Sequence, residues 1–323
     1  MQPRAQEQAA QPKREIGASM TFTVEKLSET LSFGCLVTGL TPEDLEDAAS
    51  REILRQRWEI DGLVIFRGSK VTPAYQVALS ECFAETIIHP VREIRHPDNE
   101  KLIRLVSDPQ GDDEDLIEVD GVPGCGWLPW HKDIIFTAKI NHGGILHATK
   151  ITSQGGETGY VDQIEAYERL PDALKQQIER LEVVYKFGPL ESSPWHAREQ
   201  VRYVKTGPAN RSMYARADRD WPPVVHPLVF TQPATGRKAL NLSPRFAQYI
   251  LGLEPAASDA LLTRLSHHLW DSPAYYHRWQ ADEMVLWDNW RMLHRVTPAP
   301  ADEVRIVERT TLGGDYGLGR ILS

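Results

Sequence analysis

The sequence predicts a mostly β fold with helical insertions, built on a double-stranded β-helix (jelly-roll) core. Short apolar runs bounded by Gly and Pro outnumber the helical patterns, and the two kinds do not alternate regularly. That arrangement argues against a doubly wound parallel sheet and for a jelly roll. No internal repeat or linker divides the 323 residues. Residues 19–323 are therefore expected as one domain behind a polar, Gln- and Pro-rich tail at 1–18.

LTPEDLEDAASREILRQRWEI (40–60) opens with Thr41-Pro42 and an acidic turn, the composition of a helix start. GLVIFR (62–67) follows as a strand, and a helix is expected over 72–87. Strands are expected at 101–106, 130–136, 144–151 and 181–187, with a helical stretch at 162–181 interrupted at Pro171. The last third places strands at 226–230, 238–242, 283–288 and 304–312 around a helix at 254–270. Residues 107–126, SDPQGDDEDLIEVDGVPGCG, are acidic and then glycine-rich. They read either as a solvated loop or as a lid segment around 107–127.

Hydrophobic residues make up 41% of the chain, with 9 Trp, 10 Tyr and 8 Phe, which excludes global disorder. No apolar run approaches the length of a membrane-spanning helix, so a membrane is not an expected partner. The polar start has no apolar stretch of the kind a secretory signal carries, and a cytoplasmic setting is expected. A formal charge of −9 argues against nucleic acid as a partner. Cys35, Cys82 and Cys125 are odd in number and lack CxxC spacing, so they imply neither a disulfide framework nor a zinc knuckle.

Two His-x-Asp triplets occur, His131-Lys132-Asp133 and His96-Pro97-Asp98. The second lies in a charged stretch whose proline suits a turn. The first lies in the apolar run LPWHKDIIF, where positions i and i+2 of a strand would put His131 and Asp133 on one face. A carboxylate beside a histidine inside an apolar run costs free energy unless something compensates, and a divalent metal would. His294 is the best candidate for a third donor, because it follows a predicted strand and turn. Two histidines and a carboxylate on one face of an octahedron leave three positions open, the non-haem Fe(II) arrangement used for oxygen chemistry. A zinc hydrolase could use the same donors. In VRIVERTTL, Arg305, Val307 and Arg309 share one face of a strand. Two inward arginines would need anionic partners, and guanidinium groups grip carboxylates or sulfonates bidentately.

The ordered set HKD (131–133), GGET (155–158), WDNWRMLH (287–294), Arg305 and Arg309 resembles the taurine dioxygenase family of Fe(II)/2-oxoglutarate-dependent oxygenases. Aryloxyalkanoate dioxygenases belong to the same family. The resemblance runs from about residue 20 to 317. It implies that His131, Asp133 and His294 ligate Fe(II), and that Thr158 and Arg305 hold the distal carboxylate of 2-oxoglutarate. It further implies that Arg309 and His89 meet the anionic group of a small-molecule substrate, with Phe136 as an aromatic wall and O2 as the oxidant. Trp127 stands where taurine enzymes carry an asparagine, and its bulk favours a substrate with a larger apolar or aromatic body. The implied reaction is hydroxylation of an aryl or alkyl carboxylate, sulfonate or sulfate ester, with release of succinate and CO2. An oxygenase of secondary metabolism acting on an amine or amino acid is the alternative, followed by a non-catalytic binding barrel. Relatives form dimers and tetramers, so a homo-oligomer is expected.

Overall fold

The computed structural model describes residues 21–112, 114–195 and 197–323, so the tail expected at 1–18 lies outside the described residues. Its centre is a seven-stranded sheet. In spatial order the strands are Thr23–Lys26, Cys35–Thr38, Leu63–Arg67, Met284–Asp288, Gly143–Lys150, Arg305–Thr310 and Leu102–Ser107. All neighbours are antiparallel except Cys35–Thr38 with Leu63–Arg67. A four-stranded sheet, Ala274–His277, Thr158–Asp162, Met292–Val296 and Leu128–His131, closes the other side.

Period-2 alternation decides what each strand covers. In Met284–Asp288, Val285 and Trp287 join the cluster between the two sheets, with Ile65, Leu146, Val307, Tyr160 and Met292. Met284 and Leu286 face outward into a second cluster with Leu54, Trp58, Tyr75 and Leu79. Those four residues come from the helices Ala48–Asp61 and Pro73–Glu81. The result is the jelly roll with helical insertions that the pattern predicted. Among the described residues, no helix is long and apolar enough to cross a membrane.

Local chemistry sets the boundaries. The first long helix starts at Ala48 rather than at Thr41, because the Asp47 carboxylate caps the Ser50 N–H at 2.8 Å. Pro42 instead opens a short 3-10 turn, Glu43–Leu45. The stretch at 162–181 breaks at Pro171 as expected, into Gln163–Glu168 and Asp172–Ile178.

Two expectations need correction. The run 130–136 is not one strand: Leu128–His131 ends at the histidine, and Ile134 turns the chain with φ +56°. The acidic segment is not simply a loop. Leu116–Val119 and Val122–Cys125 form a hairpin through Asp120 and Gly121, both at positive φ (51° and 82°). Val201–Lys205 and Ala299–Pro300 extend that hairpin into a four-stranded sheet.

Candidate metal and cosubstrate site

The strands Leu128–His131 and Met292–Val296 pair antiparallel, with His294 directly opposite His131. Their rings lie 4.1 Å apart between centroids. Asp133 enters from the turn: its carboxylate oxygens lie 3.5 Å from His131 Nε2 and 3.8 Å from His294 Nε2. One donor atom from each of the three residues falls within 4.8 Å of the others, and all three side chains are largely shielded from solvent.

The donor set fits a divalent cation. The Pro129 carbonyl lies 2.8 Å from His131 Nδ1, which fixes the proton there and leaves the Nε2 lone pair facing Asp133. Burial, with His131 close by, pushes the His294 pKa well below its usual range, so that imidazole is neutral, the form that ligates. Burial alone would raise the Asp133 pKa. The Arg309 guanidinium outweighs it and holds the carboxyl well below the usual range, ionised.

Arg309 donates from Nη1 to Asp133 Oδ2. Its Nε and Nη2 are buried and have no hydrogen-bond partner among the described residues, so two donors remain for an anion beside the cluster. His89 is buried close by, and burial followed by the field of Arg309 lowers its pKa to about 3. The neutral ring accepts from the Val91 N–H through Nδ1 at 3.2 Å, which leaves the proton on Nε2 as a further donor.

Arg305 lies one alternation before Val307 on the same inward face. Its Nε donates to the Gly156 carbonyl at 3.0 Å, and burial lowers its pKa to about 10, still charged at neutral pH. A cavity of about 230 Å³ opens here, lined by Arg305, Gly156, Thr152 and Trp279 among others. Thr158 is buried, and its hydroxyl accepts from Trp279 Nε1 at 3.1 Å, so the hydroxyl proton is left to donate.

The remaining candidates lie further out. Phe136 is in the large core cluster, 5.1 Å from Phe246, whose ring meets His131 edge-on at 6.3 Å. Trp127 is buried with Ile117, Val119 and Leu190 under the hairpin-bearing sheet. Tyr160, unmarked by any motif, lies opposite His294 and keeps a buried hydroxyl with no hydrogen-bond partner among the described residues. Lys132 points away from its flanking ligand candidates, to Asn241 Oδ1 at 2.8 Å and the Trp290 carbonyl at 2.6 Å. Burial lowers its pKa to about 7.

A jelly roll with two imidazoles and a carboxylate at one point, and two inward arginines beside them, is an arrangement that suits a mononuclear metal oxygenase. Comparison with known proteins gives the family. The model of the taurine catabolism dioxygenase TauD, TfdA family matches residues 23–311. An (S)-phenoxypropionate/alpha-ketoglutarate-dioxygenase of Sphingobium herbicidovorans is 30% identical over 300 residues, 92% of this chain and 96% of its own. An alpha-ketoglutarate-dependent sulfate ester dioxygenase of Pseudomonas putida is 25% identical over 280 residues, 84% of each chain. The crystal structure of a taurine dioxygenase from Burkholderia xenovorans superimposes with a TM-score of 0.70. It has 24% identity over 94% of this chain and 95% of that one. The chain belongs to the TauD, TfdA family and is an Fe(II)- and 2-oxoglutarate-dependent dioxygenase that uses O2.

Proposed function

We propose that this dioxygenase hydroxylates a small organic anion with an apolar or aromatic body, a carboxylate, sulfonate or sulfate ester, and releases succinate and CO2. The observation that carries the proposal is the pair of buried, partnerless nitrogens on Arg309 beside the His131, Asp133 and His294 cluster. Buried guanidinium donors without partners are costly, and an anionic head group would satisfy them. Two relatives are named for substrates of this kind, phenoxypropionate and sulfate esters, each an organic group with an acidic head.

In this reading His131, Asp133 and His294 hold Fe(II), which supplies the oxygen activation and oxidative decarboxylation of 2-oxoglutarate. The residues around it bind and orient. Arg305 and the Thr158 hydroxyl take the distal carboxylate of the cosubstrate. Arg309 and His89 Nε2–H take the substrate anion, which aims the rest of the substrate at the metal. Phe136, with Phe246 and Phe187, bounds the apolar body, and Trp127 would add its bulk from the separate cluster under the hairpin. The segment 107–127 would cover the site and exclude water.

The test is succinate release from 2-oxoglutarate with added Fe(II), screened over sulfonates, sulfate esters, aryloxy acids and amino acids. The coupled reaction is expected with an anionic, apolar-bodied substrate and is lost in His131→Ala and Asp133→Ala. Full activity in either variant, or stimulation by amino acids alone, refutes the reading. Size-exclusion chromatography tests the accompanying expectation of a dimer or tetramer.

A further inference from the structure

Three non-glycine residues among those described have positive φ: Asp120, Ile134 and Asp282. Aspartate tolerates this region, because its short polar side chain bonds locally. Isoleucine does not, because a β-branched side chain crowds the carbonyl there. Ile134 directly follows Asp133, so the strain sits at the point that turns the carboxylate toward the two histidines.

The backbone on both sides of Ile134 is held. The Asp133 N–H donates to Asn289 Oδ1 at 2.9 Å, and Asn289 Nδ2 donates to the Asp133 carbonyl at 2.9 Å. Asn289 is itself locked, because Nδ2 also donates to Asn141 Oδ1 at 2.9 Å. Its own N–H donates to the His142 carbonyl at 2.8 Å. Downstream, the N–H and hydroxyl of Thr137 both donate to the Ile134 carbonyl at 2.9 Å. Asn289 is fully buried and lies in the turn that leads into the Met292–Val296 strand. One carboxamide thus ties the stretch bearing His131 and Asp133 to the turn that leads into the strand bearing His294.

We propose that Asn289 is a positioning residue: its reciprocal bonds to the Asp133 backbone hold Ile134 in the left-handed conformation and so preset the metal-ligand geometry. The inference rests on the metal reading above. It differs from a general packing role because the force it opposes is local strain at a single residue, and glycine at that residue removes the strain.

The experiment titrates metal-free protein with Co(II) alone by calorimetry, at a temperature well below unfolding, with thermal melts alongside. Asn289→Ala should weaken Co(II) binding by roughly 10- to 100-fold, the usual loss for a group that orients a ligand. Ile134→Gly alone should change it by less than about threefold. In the Asn289→Ala background, Ile134→Gly should restore about tenfold, because glycine takes this φ without opposition. Asn289→Asp keeps the acceptor for the Asp133 N–H and serves in the same cycle if the alanine variant does not fold.

Co(II) affinity within about threefold of wild type in both Asn289 variants overturns the proposal. So does a lowered melting temperature with unchanged affinity, or a cycle in which Ile134→Gly restores nothing. Wild-type protein that takes up no Co(II) overturns the metal reading itself, and is told apart because the loss precedes any substitution at Asn289.

Discussion

Gly156→Ala tests the cosubstrate end of the site. Gly156 has φ +63°, and a Cβ there would lie 2.8 Å from Arg305 Cδ and 3.0 Å from both Arg305 Nε and Thr152 Oγ1. Two costs follow. The left-handed backbone with a Cβ costs about 1–2 kcal/mol of stability, which for a chain of this size lowers Tm by on the order of 2 °C. The new methyl also pushes the Arg305 side chain off its place, since that chain is the movable neighbour. Charge-assisted hydrogen bonds to a carboxylate contribute about 1.5–3 kcal/mol, so their loss should raise the KM for 2-oxoglutarate by about 10- to 100-fold. Succinate release at varied 2-oxoglutarate reads KM, and a thermal melt reads stability. Gly236→Ala is the control, with φ +68° and nothing within 4 Å of the added Cβ. It shares the backbone cost and should leave KM unchanged. A Gly156→Ala enzyme with a KM within about twofold of the control would refute the assignment of Arg305 to the cosubstrate.

Arg309→Ala should raise the substrate KM by about 10-fold or more while 2-oxoglutarate affinity moves less, since its unpartnered nitrogens lie at the cluster rather than in the cavity beside Arg305. The reverse ranking in steady-state kinetics would swap the two arginines. Buried neutral histidines make the protein acid-labile. The pKa of His89 is lowered to about 3 and that of His226 to about 4, so below pH 6.5 the unfolded chain takes protons that the folded chain refuses. Stability should therefore fall as pH drops from about 6.5 toward 4, and His89→Asn should flatten the urea-unfolding free energy over that window; an unchanged slope counts against a buried neutral His89. Glu114 has the opposite sign. Burial raises its pKa to about 7, so its contribution is lost as pH rises from about 4.5 through 7. Glu114→Gln should melt above wild type at pH 8 and alongside it at pH 5; equal melts at both would refute this.

Much of the site was legible because its residues are polar or charged where the pattern demands an interior. The alternation in VRIVERTTL put Arg305 and Arg309 on one face, and the structure keeps both buried on that face. His294 follows a strand and turn, as read, and lies on the next strand. The hairpin inside the acidic segment was missed although its Asp-Gly pair is a turn signal, because charge and glycine content dominated the reading of that stretch. The strand read through 130–136 failed for a different reason. Apolar periodicity carries no information about Ile134, whose positive φ is imposed by bonds from residues far away in the chain.

The sequence alone determined the fold class, because hydrophobic period and turn chemistry are local properties of the chain. It also determined which side chains could serve as donors, since chemical type is written residue by residue. Convergence was decided only by the tertiary structure. His294 reaches His131 through strand pairing across a separation of 163 positions in the chain. Asp133 is aimed by a buried amide that looks, in the sequence, like any other turn asparagine. Position in a sheet register and the partners of a buried amide are long-range quantities. They are set when the whole core closes, and no short stretch of the chain contains them.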